Sequence, residues 1–162
     1  DQKKVEVMKE RILSINPYCH VLTYDDFFLP ETVDHFPFDE FDYIVDAVDT
    51  VTAKIKLVEI AQEKKIKIIS SMGTGNKLDP TKLEVTDIYK TSICPLARVM
   101  RRELKQRKIP ALKVVYSTEQ PKELKKKILN GKKVTPGSVS FVPSVGGLII
   151  ASVVINDLLN KK

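Results

Sequence analysis

The stretch Tyr43-Ile44-Val45-Asp46-Ala47-Val48-Asp49-Thr50 is a short apolar run that ends in two acids. It predicts a buried strand over 43–48, with acidic side chains at its carboxyl end. Thr50 is placed to cap a helix that runs to about Lys65, and the apolar run 66–70 predicts a second buried strand. Strand, helix and strand in this order favour parallel strands joined by a right-handed crossover.

The same alternation extends toward the amino terminus. Residues 2–15 carry apolar side chains at helical spacing, and Asn16-Pro17 ends that helix because the residue before proline leaves the helical region. Residues 19–24 predict another strand, and residues 31–36 predict a short helix that starts after Pro30. The first 71 residues therefore predict an α/β sheet with parallel strands.

After residue 71 the pattern changes, although we still expect a single domain over 1–162. Residues 72–162 are predicted to add antiparallel strands and further helices to the sheet. The predicted order is a glycine-rich loop (72–76), a strand (83–89), a helix (95–108), a strand (113–117), a mobile basic linker (119–136), a strand (138–142) and a closing helix (145–159).

Composition excludes several classes of protein. The 162 residues are 43% hydrophobic and 30% charged, which is typical of a globular domain and not of a disordered chain. The longest apolar run, 145–159, is interrupted by polar residues and falls short of the roughly 18 residues of a membrane helix. The start of the chain is charged, and its two cysteines form no C-x-x-C pair. We expect a cytoplasmic protein without membrane contact.

Positive charge is concentrated in one region. Thirteen basic and three acidic residues lie between Pro95 and Lys133, in a chain with a net charge of +6. A solvated helix face explains this pattern, and so does a surface that binds the phosphates of a nucleic acid. The residues that would form that surface on the helix 95–108 are Arg98, Arg101, Arg102 and Lys105.

Few side chains carry a clear chemical signal. Asp49 follows a buried strand, where an aspartate holds magnesium and nucleotide phosphates or caps the next helix. Lys4 at the start of the first helix is either an anion contact or a solvated lysine. Gly73-Thr74-Gly75 is too short for a phosphate loop, so a plain turn is the simpler interpretation. Cys94 precedes a helix as either a reactive thiol or an inert buried one.

Several motifs resemble those of ThiF-like adenylating enzymes, the superfamily of the ubiquitin-activating enzymes. Two of them are the helix that starts with Lys4-Val5-Glu6-Val7-Met8 and the strand end Asp46-Ala47-Val48-Asp49. Four more specific motifs resemble the tRNA threonylcarbamoyladenosine dehydratase branch of that superfamily. They are Ser71-Met72-Gly73-Thr74-Gly75-Asn76-Lys77-Leu78-Asp79-Pro80, Val85-Thr86-Asp87-Ile88, Pro95-Leu96-Ala97-Arg98 and Tyr116-Ser117-Thr118-Glu119.

The resemblance covers nearly the whole chain and implies a Rossmann-like, mostly parallel sheet, in which residues 1–71 belong to the nucleotide-binding unit. It also implies an enzyme that uses ATP and magnesium to activate a carboxylate of threonylcarbamoyladenosine in tRNA and closes a ring with loss of water. By resemblance, Asp49 holds magnesium and the phosphates, and Lys4 contacts the phosphates. Lys54 lies near the nucleotide, and Asp25 and Asp26 border its adenine and ribose. The family's homodimeric state is expected here too.

One departure from the family pattern is large. Its first strand, glycine-rich nucleotide loop and catalytic arginine precede the helix with which this sequence begins, so we expect the chain to be truncated at its amino end and inactive alone. Two alternatives remain open at this point. One is an adenylating enzyme for a ubiquitin-like sulfur-carrier protein, with a sulfur-transfer partner, and the other is a basic binding module without catalysis.

Overall fold

A computed structural model describes residues 2–124, 128–130 and 133–160, and it divides the chain into two compact units, Asp1–Phe36 and Pro37–Lys162. In the first unit, helix α1 spans Lys4–Ile15 and a 3₁₀ helix spans Pro30–His35. Both were predicted, with boundaries within two residues. Residues 19–24 form no strand, because no described segment pairs with them and a strand requires a partner. Thr23 Oγ1 donates to Glu6 Oε1 at 2.9 Å instead.

The second unit is built on a four-stranded sheet. Its strands are β1 (Tyr43–Asp46), β2 (Lys67–Ser71), β3 (Leu83–Asp87) and β4 (Lys113–Ser117). The order across the sheet is β1-β2-β4-β3, with β1, β2 and β4 parallel and β3 antiparallel at the edge. The mostly parallel sheet with an added antiparallel strand is therefore confirmed.

Helices cover both faces of this sheet. Helix α2 spans Val51–Lys64 and α3 spans Pro95–Gln106, and both pack on one face. Helix α4 spans Phe141–Leu159 and packs on the other face. Successive residues of β4 alternate between the two cores, since Val114 faces α2 and α3 whereas Val115 faces α4. The unit is a three-layer α/β/α sandwich.

The segment after β4 differs most from its prediction. Within the predicted linker 119–136, strands β5 (Ile128–Asn130) and β6 (Lys133–Thr135) pair antiparallel as a separate two-stranded sheet. Sequence periodicity missed them because each strand has only three residues. The predicted strand 138–142 is also wrong. Pro143 fits the first turn of a helix, where its missing N–H costs no hydrogen bond, so Phe141 and Val142 begin α4.

Helix α4 is longer than expected because of those added residues. It has 19 residues with a mean hydropathy of 1.8, which is long and apolar enough to cross a membrane by length and composition alone. Our expectation that no apolar segment reaches that length was wrong. One face of α4 packs on the sheet through the buried Val142 and Ile150, whereas Leu148, Ile155 and Leu159 are exposed.

A polar contact fixes the end of α4 to the amino ends of the strands. Asp157 Oδ2 accepts hydrogen bonds from Lys113 Nζ at 2.6 Å and from Tyr43 Oη at 2.7 Å. Lys67 Nζ donates to the Asp157 carbonyl at 2.9 Å. These donors, Lys113 first, lower the pKa of the Asp157 carboxyl, and burial raises the pKa of Tyr43.

The Asp157 contact makes stability depend on acid pH. Because the folded pKa is below the ordinary value of 3.8, the carboxylate stabilises the fold above that value and loses its effect as pH falls through the folded pKa. Asp157→Asn should therefore be less stable than the wild type at pH 7, and the difference should shrink below about pH 4. Urea unfolding from pH 7 to pH 2.5 measures this, with the exposed Asp34→Asn as control. A difference that does not change with pH would contradict the assignment.

Candidate functional site

The carboxyl ends of β1 and β2 are joined by a buried lysine. Lys54 lies in the first turns of α2, and its side chain is 1% exposed. Its Nζ contacts both oxygens of Asp46, at 3.1 and 3.0 Å, together with Ser70 Oγ at 3.3 Å and the Ser71 carbonyl at 2.7 Å. Ser70 Oγ also donates to Asp46 Oδ2. We call these four residues the buried bridge.

Burial and charge act in opposite directions on Lys54. Burial lowers its pKa from the usual value, and the neighbouring Asp46 carboxylate opposes that shift. Asp46 has a structural role in this arrangement, because its carboxylate is fully buried and also accepts from Val48 N at 3.2 Å. Lys54 was expected near the nucleotide. Its three N–H groups already face four acceptors, so this geometry leaves no donor for a phosphate.

Asp49 has the opposite environment. It is exposed, two residues before the start of α2, and its Oδ1 accepts from Thr50 Oγ1 at 3.3 Å. Thr50 occupies the N-cap position as predicted, but its side chain makes no capping hydrogen bond. An exposed carboxylate at the carboxyl edge of parallel strands is placed to meet a ligand outside the sheet.

Asp49 could hold magnesium only together with a bound ligand, such as a phosphate, whose oxygens also coordinate the ion. Magnesium is commonly held by one or two protein carboxylates together with substrate phosphates. The described residues contain no group of three or more His, Cys, Asp or Glu side chains suited to a metal ion. Asp49 would supply one carboxylate oxygen, and the remaining ligands would come from phosphate and water.

The glycine-rich loop after β2 holds both ends of the lysine-rich segment 122–137. Asn76 N donates to the Gly137 carbonyl at 2.8 Å, and Gly137 N donates to Asn76 Oδ1 at 2.6 Å. Lys122 N donates to the Asn76 carbonyl at 2.7 Å. Asn76 adopts a φ of 59°, which asparagine tolerates better than most residues. We call this set of contacts the Asn76 clasp.

A second buried lysine supports the same loop. Lys77 Nζ donates to the Glu119 carbonyl at 2.6 Å, and Glu119 Oε2 accepts from Leu78 N at 3.0 Å and Asp79 N at 2.9 Å. Those amide donors, with Asp79 first, lower the pKa of Glu119. Burial lowers the pKa of Lys77, against the effects of Cys94 and Glu119. Cys94 is 2% exposed within the core, which favours the inert alternative for this thiol.

Three of the four predicted nucleic-acid contacts share one exposed face of α3. Arg98, Arg102 and Lys105 are exposed and follow the i, i+4, i+7 spacing of a helix face. We call them the basic stripe. The fourth residue, Arg101, is half-buried and donates to the Thr91 carbonyl at 2.9 Å. It therefore supports the start of α3.

The first unit contains the other predicted nucleotide contacts. Asp25 and Asp26 are exposed and line a cleft of about 220 Å³ together with Val5, Tyr24 and Phe27. Asp25 pairs with Lys3, which raises the pKa of that lysine, and Asp26 lies 3.4 Å from His35 Nδ1. Lys4 is the first residue of α1 and is exposed.

An α/β sandwich with an exposed acid outside the carboxyl ends of its parallel strands has the architecture of nucleotide-binding α/β proteins. The ThiF family model matches residues 1–161. The chain therefore belongs to the ThiF family.

The named relatives to which the chain is similar belong to one branch of that family. A tRNA threonylcarbamoyladenosine dehydratase from Bacillus subtilis is 40% identical over 98% of this chain, which spans 66% of that protein. The Escherichia coli enzyme of that name is 41% identical over 63% of the chain and 38% of its own length. The structure of the E. coli enzyme with ATP matches 98% of the chain and 64% of that protein with a TM-score of 0.84 and 31% identity. Its AMP complex gives a TM-score of 0.82 and 30% identity over 98% of the chain and 65% of that protein.

Sequence reasoning missed the buried bridge and the Asn76 clasp. A signal for the bridge was present, because Lys54 lies at helical spacing with the buried Leu57, Val58 and Ala61. A lysine in an apolar stripe needs a buried acceptor. The clasp joins residues 61 positions apart and has no comparable local signal.

The close approach at Gly75 can be tested directly. A Cβ at Gly75 would lie 2.8 Å from Pro136 Cβ, whereas a Cβ at Gly147 in α4 would have nothing within 4 Å. Gly75→Ala should destabilise the protein by about 1–3 kcal/mol through overpacking. The control Gly147→Ala should stabilise it by about 0.5–1 kcal/mol, since alanine favours a helix interior. Urea unfolding measures both, and equal stabilities would refute the close contact.

Proposed function

We propose that the protein dehydrates threonylcarbamoyladenosine in tRNA and uses ATP to activate its carboxylate. The observation that carries this proposal is the 40% identity to the B. subtilis dehydratase across 98% of the chain. The dehydratase names of the relatives favour this function over adenylation of a ubiquitin-like sulfur carrier. A sulfur-transfer partner gains no support from them.

The chemistry follows from the poor reactivity of a carboxylate. In the proposed reaction an oxygen of the substrate carboxylate attacks the α-phosphorus of ATP, and diphosphate leaves. A nucleophile in the same side chain then attacks the activated carbonyl, AMP leaves and a ring closes with net loss of water. Groups that are placed in advance around the phosphates stabilise the charge that shifts in the transition state.

The residues of this chain have separate roles in that proposal. Asp49 is the carboxylate that would hold magnesium, and the ion, when bound, neutralises phosphate charge. Lys4 would bind a phosphate oxygen, and Asp25 and Asp26 would border the adenine and ribose. The cleft that those two acids line supports their assignment.

The basic stripe is the proposed tRNA contact. The side chains of Arg98 and Lys105 make no hydrogen bond or ion pair within the described part of the chain, so their charges are available to phosphates. Arg102 contacts Glu103 Oε1 at 2.9 Å, which reduces its availability. A cytoplasmic location and a homodimer also remain proposals. Exposed apolar side chains on α4 (Leu148, Ile155 and Leu159) offer a surface for a second subunit.

Asp49→Ala tests the catalytic assignment in cells. In a strain that lacks the gene, tRNA should accumulate threonylcarbamoyladenosine in its open form, which is heavier by one water. The wild-type gene should restore the closed form, and Asp49→Ala should lower restoration by at least about 100-fold if it removes a transition-state contact. Mass spectrometry of tRNA nucleosides measures the ratio.

The control for this test is Glu63→Ala, an exposed acid near the opposite end of α2. It should restore the closed form as the wild type does. Unchanged nucleosides in the deletion strain would refute the dehydratase function. Normal restoration by Asp49→Ala would remove Asp49 from the site while leaving the function in place.

Charge reversal tests the basic stripe. Arg98→Glu with Lys105→Glu should weaken tRNA binding and lower the slope of log affinity against log salt by about two, because about one ion is released for each phosphate contact. Fluorescence anisotropy across a salt series measures both quantities. The control, Lys56→Glu with Lys65→Glu in and after α2, changes the net charge equally. Equal losses in the two double variants would show that total charge alone matters, and would contradict a local tRNA contact.

A further inference from the structure

All hydrogen bonds of the Lys54 ammonium go to groups of the protein interior. An ammonium has three N–H groups, and four acceptor atoms from Asp46, Ser70 and Ser71 lie within 3.3 Å of Nζ. Asp46, Lys54 and Ser70 are each 0% exposed. A serine beside a lysine would suggest a nucleophile, but burial leaves no path for a substrate to Ser70. The group therefore acts on the protein itself.

The buried bridge begins where the hydrogen-bond ladder of the sheet stops. The register of β1 and β2 runs from Tyr43 paired with Lys67 to Asp46 paired with Ser70. Beyond that last pair, β1 leads into the loop that contains Asp49, and β2 leads into the glycine-rich loop. The ammonium of Lys54 bonds to the ends of both strands. Its side chain therefore links β1 and β2 at the point where their backbone hydrogen bonds end.

Short lengths of chain link the bridge to both loops. Asp46 lies three residues before Asp49, and its Oδ1 also accepts from Val48 N at 3.2 Å. Ser71 lies directly before Met72, whose N–H donates to the Val115 carbonyl at 2.8 Å. The bridge thus fixes one end of each loop.

We propose that Lys54 is a positioning residue that acts through Asp46 and Ser71. It holds the Asp49 loop at a fixed distance from the glycine-rich loop, in the place that the proposed nucleotide contact of Asp49 requires. This inference rests on the proposed use of ATP. It revises the expectation that Lys54 touches the nucleotide, because no donor of its ammonium points outward. Lys54 acts on the ligand only through the loops that it holds.

Stability and positioning can be separated with paired substitutions. Removing one partner of a buried ion pair leaves an unpaired charge and is destabilising by itself, whereas removing both charges is often neutral. Lys54→Met with Asp46→Asn removes both charges, and the amide of Asn still accepts from Val48 N. We expect an unfolding midpoint near that of the wild type in this double variant.

Hydrogen exchange of the full chain provides the first measurement. In the double variant, amides of 46–50 and 71–76 should exchange about tenfold faster than in the wild type, while amides of α3 should not change. Ser70→Ala keeps the ion pair and removes one contact, so it should fold and show a smaller increase at the same segments. Lys56→Met, two residues away on the same helix, should exchange as the wild type.

ATP titration of the protein expressed from its complete gene provides the second measurement. The double variant should bind ATP about tenfold more weakly than the wild type at an unchanged unfolding midpoint, a split that a purely structural role would not produce. Unchanged exchange at both loops in the double variant and in Ser70→Ala would overturn the proposal. Faster exchange with unchanged ATP affinity would also overturn it, because the loops would then move without effect on the ligand. If the wild type binds no ATP while the exchange pattern holds, the proposed function fails and the holding of the loops by Lys54 stands.

Discussion

In the unit Pro37–Lys162, a single buried ammonium connects a helical layer to the central sheet. Lys54 reaches from α2 to the ends of β1 and β2, so one group relates the position of a helix to that of two neighbouring strands. A charge in the interior is costly unless it is fully bonded, and here every N–H has an acceptor. The arrangement is tightly constrained, since loss of Asp46 would leave the ammonium without its counter-charge.

Much of the fold could be predicted from local patterns. The two strands Tyr43–Asp46 and Lys67–Ser71 lie within short, mainly apolar runs that flank an amphipathic helix, and that order indicates parallel pairing. Asp49 could be singled out because its position after a buried strand has a known consequence in open α/β sheets. The basic stripe could be predicted since helical spacing determines which residues of α3 share a face.

What could not be predicted depends on contacts between distant residues. The run 19–24 has strand-like composition, but pairing is decided by another segment. Residues 138–142 form too short a segment for its hydrophobic periodicity to distinguish a strand from the start of a helix. Lys54 and Arg101 looked like ligand contacts, and only their three-dimensional partners, Asp46 and Thr91, reveal that their charges are used internally.

Because of the Asn76 clasp, the stability of the α/β/α sandwich depends little on the length of the lysine-rich segment. Lys122 and Gly137 both bond to Asn76, so the chain leaves and returns at one point of the surface. Between those two anchors, each doubling of loop length costs only about 0.6 kcal/mol of closure entropy. Evolution can therefore lengthen, shorten or recharge this segment with little effect on the core, and an engineer can graft a foreign loop or a fluorescent label at the same place.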